Sequence, residues 1–139
     1  MSQAVASHPG TLTLLSRLSK SVYRKTPERL LGMTQRHFLV LSYLAEVDQV
    51  PQQHLQELLC IDANNLVILL NELESLGYAQ RLRDPEDRRR HIVVLTDPGR
   101  AAYKKAEKAR ETIEDDVLQG LGTEERETLR RLLVKALEA

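Results

Sequence analysis

The sequence contains little cysteine and no excess of charge of either sign. A single cysteine, Cys60, excludes an internal disulfide and a multi-cysteine zinc cluster, and it fits a reducing compartment. Lys and Arg together number 20, as do Asp and Glu, so any attraction to nucleic acid must come from local charge. No run approaches the roughly 20 apolar residues of a membrane span, and the N-terminus has no signal-peptide pattern. We therefore expect a cytoplasmic protein.

Recognisable catalytic and metal-binding patterns are also missing. The four histidines, His8, His37, His54 and His91, are scattered, and none pairs with another at the i, i+4 spacing of a helical metal site. We find no Ser/His/Asp or Cys/His constellation, no Gly-rich phosphate loop and no paired-carboxylate cleft. The sequence therefore predicts no enzymatic activity, no metal site and no cofactor.

Helical periodicity is the strongest feature that is present. Apolar residues at steps of three and four predict six helices, with a short third one that starts at Pro51. The other five span residues 11–24, 34–46, 62–77, 97–119 and 123–138. Thr34, Asp62, Thr96 and Thr123 are suited to cap the helices that follow them. Residues 1–10 read as a loose tail, and 11–139 as a single domain.

Residues 79–95 have a different period. Arg81-Leu82-Arg83 leads into a polar turn, and the β-branched run Ile92–Leu95 is strand-like, so a β-hairpin is predicted here. The hairpin follows two short helices that resemble a helix-turn-helix over about 52–77. The fold class is therefore mainly α with a small β-hairpin (α+β), in a winged helix-turn-helix arrangement with flanking helices.

The second helix of this motif would place its outer face in a DNA major groove. Its buried stripe is predicted to consist of Leu66, Leu69, Leu70, Leu73 and Leu76. The opposite face carries Asn64, Ile68 and Asn71, flanked by Asn65 and Val67. The amides can pair with base edges or phosphates, whereas Val67 and Ile68 can only touch a thymine methyl.

The turn of the hairpin, Asp87-Arg88-Arg89-Arg90, is the candidate wing. Adjacent guanidiniums on an exposed tip, joined by Arg83, can enter a minor groove, where negative potential attracts Arg. A free carboxylate would repel phosphate there, so we interpret Asp87 as an intramolecular partner that orients a neighbouring Arg. The alternative is a solvated charged turn without a ligand.

The predicted helix-turn-helix is acidic. From Thr34 to Leu76 one Arg stands against six Asp and Glu residues. Phosphate contacts would then depend on the wing, on helix N-termini and on Gln52, Gln53 and His54. A polar surface turn explains the last three residues equally well. Cys60, between the two helices, is interpreted as a small buried hydrophobe.

The stretch from 87 to 99 resembles the multiple-antibiotic-resistance regulator (MarR) family, whose pattern is D-R-R-x-x-x-V-x-L-T-x-x-G. The matching residues are Asp87, Arg88, Arg89, Val93, Leu95, Thr96 and Gly99. Many relatives carry Ser or Thr at the positions of Asn65 and Val67 and a basic residue at that of Ile68, so this sequence departs from the family there.

The resemblance implies a homodimer formed through the helices over 11–24, 97–119 and 123–138. It also implies a pseudo-palindromic double-stranded DNA site. The protein would be a repressor released by a small aromatic or phenolic effector, whose contact residues the sequence does not identify. The acidic helix-turn-helix supports an alternative: a dimeric ligand-binding or interaction protein that has weakened or lost specific DNA binding.

Overall fold

The computed structural model describes residues 8–139, so most of the predicted tail, residues 1–7, lies outside the described range. The sequence predicts a single domain over 11–139. The described residues form two compact units by their contacts: one is Pro27–Arg110, and the other combines residues 8–26 with Glu111–Ala139. Within the described range, no helix has both the length and the apolar character that crossing a membrane requires.

The described residues form eight helices and three short strands. The helices are α1 (Thr11–Lys25), α2 (Glu28–Leu31), α3 (Gln35–Val47), α4 (Gln52–Leu59), α5 (Ala63–Ser75), α6 (Asp97–Glu111), α7 (Glu114–Val117) and α8 (Thr123–Leu137). The strands are β1 (Gln49–Pro51), β2 (Ala79–Arg83) and β3 (His91–Leu95).

Side-chain caps fix where the two central helices begin. The Thr34 hydroxyl accepts a hydrogen bond from His37 N at 3.0 Å, and Asp62 Oδ1 accepts one from Asn65 N at 2.8 Å. Each bond satisfies an amide that has no partner within its helix. Both caps were predicted from the sequence and are confirmed.

The sheet has three strands, one more than the predicted hairpin. β3 lies in the centre and pairs antiparallel with both neighbours, with Val93 opposite Val50 of β1 and Arg81 of β2. β1 has only three residues, too few to give an alternation signal in the sequence. The base of the hairpin is thereby tied to the segment that leads into α4.

The core of the Pro27–Arg110 unit lies where α3, α4, α5 and β3 meet. Its completely buried side chains include Val40, Leu41, Leu44, Leu55, Leu66, Leu70, Leu73 and Val93. The predicted stripe on α5 holds except for Leu76, which is 49% exposed. Leu76 is the C-cap of α5, one position beyond the last helical residue, Ser75.

A tight junction joins the end of α5 to the start of α6. The Thr96 hydroxyl donates to Gly77 O at 2.6 Å and accepts from Gly99 N at 3.0 Å, and Thr96 N donates to Tyr78 O at 3.2 Å. A Cβ on Gly99 would lie only 2.0 Å from that same Tyr78 O. The L-T-x-x-G pattern therefore encodes a cap and a contact that only glycine permits.

The single helix predicted over 97–119 is interrupted. α6 ends at Glu111, and α7 starts again at Glu114. The β-branched pair Thr112-Ile113 is a poor helix former, and acidic residues in the first turn of α7 favour a new helix N-terminus. Lys25 at the end of α1 pairs with Asp116 of α7, Nζ to Oδ1, at 3.1 Å.

Candidate nucleic-acid interface

The tip of the hairpin is a turn held by its own aspartate. Asp87 Oδ1 accepts hydrogen bonds from Arg89 N and Arg89 Nε, both at 3.1 Å, and Oδ2 accepts one from Arg89 Nη2 at 3.3 Å. These bonds lower the pKa of the Asp87 carboxyl. The structure thus places Asp87 where it orients a neighbouring guanidinium, the arrangement expected from the sequence.

A second carboxylate, which the sequence argument did not single out, braces the base of the turn. Asp84 is only 8% exposed; it accepts Glu86 N at 2.9 Å and Arg90 Nη2 at 3.0 Å. Both bonds lower the pKa of the Asp84 carboxyl. Its position, six residues before an Arg across the turn, is the signal that could have revealed it.

The remaining wing arginines, Arg83 and Arg88, differ in whether their side chains are hydrogen-bonded. Arg83 Nη1 donates to Arg88 O at 2.7 Å, so this guanidinium closes the turn from the strand side. Among the wing arginines of the described chain, Arg88 is the one whose side chain has no hydrogen-bond or ion-pair partner. The turn therefore presents one unpaired guanidinium on a braced support.

The two aspartates predict how the turn responds to acid. Because the pKa values of both carboxyls are lowered by folding, their stabilisation is complete above the ordinary value, about pH 4, and is lost only as the pH falls through the lowered values. We expect the Glu86 and Arg89 amide resonances in an NMR titration to stay unchanged down to about pH 4. Midpoints at or above that pH would contradict the braced turn.

The outer face of α5 carries most of the predicted base-reading residues. Asn64, Asn65, Ile68 and Asn71 are exposed, whereas Val67 is half-buried. The Asn65 amide donates from Nδ2 to Asp62 Oδ2 at 3.2 Å, so it is held against the cap. Among the four exposed residues of this set, the side chains of Asn64 and Ile68 have no hydrogen bond within the described chain.

Asn71 belongs to a cluster that the sequence analysis missed. Arg81 of β2 donates from Nη2 to Asn71 Oδ1 and binds Glu74 Oε1 through Nε and Nη2, at 2.9 and 2.6 Å. Burial raises the pKa of the Glu74 carboxyl, but the hydrogen bonds from Arg81 outweigh it and leave that pKa below its ordinary value. Opposite charges on either side of the short turn at Gly77 were the available signal.

The start of α4 faces the wing. Pro51, Gln52 and Gln53 line a cavity of about 340 Å³ together with Arg89 and Arg90. The structure thus brings together two groups that the sequence had assigned separately to phosphate contacts. The third predicted residue of this group, His54, is exposed and does not line the cavity; its Nδ1 lies 3.9 Å from Glu57 Oε2.

Four of the six acidic residues over 34–76 are bound within the fold. The pairs are Glu72 with His37, Glu74 with Arg81, and Asp48 with Arg100. Asp62 is occupied as the cap of α5. Because two of the partners are arginines from beyond residue 76, counting charges over 34–76 overstates the negative charge of this surface.

The interpretation of Cys60 as buried was wrong. Cys60 is exposed and ends α4 with a left-handed backbone, at φ 54°. Residues at the ends of helices often adopt this conformation, and the sequence pattern does not reveal that Cys60 lies at such a helix end. Its Sγ lies 3.5 Å from Glu57 O.

Comparisons with known proteins agree on one family. The family model of the MarR family matches residues 31–90. A mutant MarR from E. coli has a TM-score of 0.81, with 26% identity over 94% of this chain and 98% of its own. The chain is similar to the MarR family over residues 31–90. Its fold is the winged helix-turn-helix of that family.

Two further similarities are to a DNA complex and to an HTH-type transcriptional regulator. The mutant MarR in complex with operator DNA has a TM-score of 0.72 and 27% identity, covering 90% of this chain and 91% of its own. YdgJ of Bacillus subtilis, an uncharacterized HTH-type transcriptional regulator, is 35% identical over 106 residues, or 76% of this chain. The match spans only 62% of YdgJ, so this chain covers about three fifths of that relative's length.

Proposed function

We propose that the chain is a homodimeric transcription regulator that binds a pseudo-palindromic site in double-stranded DNA. The observation that carries the proposal is the unpaired Arg88 guanidinium, held at the tip of a turn that Asp84 and Asp87 brace. Such a tip is preorganised for entry into a narrow minor groove. The operator-DNA complex of the E. coli MarR mutant supports the same partner for this chain.

Three kinds of contact would hold the DNA. Asn64 and Ile68 on α5 would meet base edges in the major groove, the amide as donor and acceptor and the aliphatic chain on a thymine methyl. Arg88 would enter the flanking minor groove. The cavity between the start of α4 and Arg89 and Arg90 has the charge and backbone amides to seat a phosphate.

Dimerisation is supported by apolar side chains that the chain leaves uncovered. α1 and α8 contain no fully buried residue, although both are amphipathic. The exposed apolar residues on these helices include Leu12, Leu14, Leu15, Leu132, Leu133, Val134 and Leu137. A groove of about 760 Å³ along α7 and α8 is lined in part by Leu129, Leu133 and Leu137. A second copy would cover this surface.

We further propose that the regulator represses its target and is released by a small aromatic or phenolic ligand. The resemblance to the family supports this proposal. A ligand acts only if it binds one DNA-reading conformation better than the other. Substituted phenols and benzoates that bind the free protein should therefore weaken DNA binding. The loss of DNA affinity should grow with the ratio of the ligand's affinities for the two conformations.

Fluorescence anisotropy with promoter and random duplexes across salt concentrations tests the function. We expect the logarithm of the association constant to fall with the logarithm of salt concentration with a slope of about −4 or steeper, from several phosphate contacts per dimer. Binding to the promoter duplex should be about 1,000-fold tighter than to random DNA. Sedimentation should give the dimer mass. If the protein does not bind DNA at low salt, the alternative function holds: a dimeric ligand-binding or interaction protein that has lost specific DNA binding.

A further inference from the structure

We propose that Arg81 is a positioning residue that sets the wing relative to the recognition helix α5, and that Asn71 serves this clamp rather than reading a base. The proposal rests on the proposed DNA-binding function. It assigns a role to contacts between residues of α5 and β2. It replaces the sequence-based assignment of Asn71 to base recognition.

The clamp consists of one guanidinium between two acceptors of the same helix face. Glu74 is bound three times: by Arg81 Nε at 2.9 Å, by Arg81 Nη2 at 2.6 Å and by the Arg81 backbone N, to Oε2, at 3.1 Å. Asn71 Oδ1 accepts from the same Nη2. A planar fork that binds through two nitrogens fixes direction as well as distance, which a lysine would not do.

The position of Arg81 in the chain connects this clamp to the wing. It lies in the middle of β2 opposite Val93 of β3, so it is fixed to the strand that continues into the wing. Only three residues, Leu76, Gly77 and Tyr78, separate α5 from β2. The covalent link sets the distance between the two elements, and the clamp sets the angle at which the wing leaves the helix.

The same bonds make Asn71 a poor base reader. Recognition of adenine by asparagine uses the carboxamide oxygen as acceptor and the NH₂ as donor at once. In this structure the oxygen is already bonded to a charged donor. A base would have to compete with a charge-assisted hydrogen bond, which is stronger than a neutral one. Of the clamp side chains, Arg81 and Glu74 are only 23% and 33% exposed, so solvent competes weakly.

Pulsed EPR without DNA tests the geometry directly. Spin labels on the native, exposed Cys60 and on a Glu86→Cys change span the helix-turn-helix and the wing, in dimers diluted with unlabelled cysteine-free protein. We expect a narrow distance distribution in this background and a clearly broader one after Arg81→Met. Glu74→Gln should broaden it as well, from the other side of the clamp. Lys104→Met, which removes an exposed charge on α6, is the control and should change nothing.

DNA binding provides the second readout. We expect Arg81→Met and Asn71→Ala to weaken binding to every duplex variant by a similar factor of about fivefold to tenfold, as for one or two lost hydrogen bonds. The double variant should be no weaker than Arg81→Met alone. A loss of preference at one base pair after Asn71→Ala, or an unchanged distance distribution after Arg81→Met, would overturn the proposal. If the unmodified protein fails to bind DNA, the EPR result still decides the clamp.

Discussion

Replacing Arg88 and Arg89 together by alanine is expected to abolish specific DNA binding, with a loss of affinity above about 100-fold. The Arg88 side chain has no hydrogen-bond or ion-pair partner among the described residues, and Arg89 lines the cavity at the start of α4. Since α5 itself carries no basic residue, the wing supplies the positive charge next to the reading helix. The slope of affinity against salt should also become shallower by about 2 to 4, because each wing loses up to two contacts.

The control for this prediction removes two positive charges elsewhere. Lys104 and Lys105 lie exposed on α6 and have no ion pair among the described residues. Their replacement by alanine should leave the specific-to-random ratio unchanged, although it lowers the net charge equally. If the wing variant binds the promoter as well as the unmodified protein at physiological salt, the wing has no role in recognition. Circular dichroism should show the same helix content for both variants.

Gly99→Ala is expected to destabilise the Pro27–Arg110 unit by about 3 kcal/mol, as for a severely overpacked site. The new Cβ would lie 2.0 Å from Tyr78 O and 3.0 Å from Leu95 Cδ1, and the first neighbour is backbone that cannot rotate away. Alanine would normally gain about 1 kcal/mol over glycine within a helix, so the steric cost must exceed that gain. Urea unfolding at one fixed protein concentration measures the difference, because a dimer's stability depends on concentration.

Gly120→Ala is the matched control for the glycine change. A Cβ there meets nothing within 4 Å. We expect the free energy of unfolding to stay within about 0.5 kcal/mol, as for other surface substitutions. Should Gly99→Ala prove equally neutral, the close approach of Tyr78 to the start of α6 would not exist in solution. A further loss of DNA binding by the folded Gly99→Ala variant would show that this junction positions α5.

The parts of the fold that sequence reasoning recovered depend on local rules. The caps at Thr34 and Asp62 and the helical apolar periodicity follow from hydrogen-bonding chemistry within a few residues. The same holds for the pairing of Asp87 with Arg89, two residues apart. The parts that it missed depend on distant segments: β1 exists only because it pairs with β3, more than 40 residues later in the chain.

The candidate site divides along the same line. The sequence predicted the wing arginines and the outer face of α5 as DNA contacts by their positions after and within a helix-turn-helix. It could not tell that Arg81 is bound by Glu74 and Asn71, since that contact depends on how β2 lies against α5. Nor could a charge count anticipate that Arg100 of α6 pairs with Asp48, because the two residues are 52 positions apart.

The sequence alone therefore determined the order of the main helices, the hairpin and the arginine-rich turn at Asp87–Arg90, since helical periodicity and short-range hydrogen bonds depend on neighbouring residues. Only the tertiary structure decided which arginines are bound and which one is unpaired. It also decided that four of the six carboxylates over 34–76 have partners, and that Gly99 must be glycine. These outcomes depend on distances between segments far apart in the chain, and only the packing of the core sets those distances.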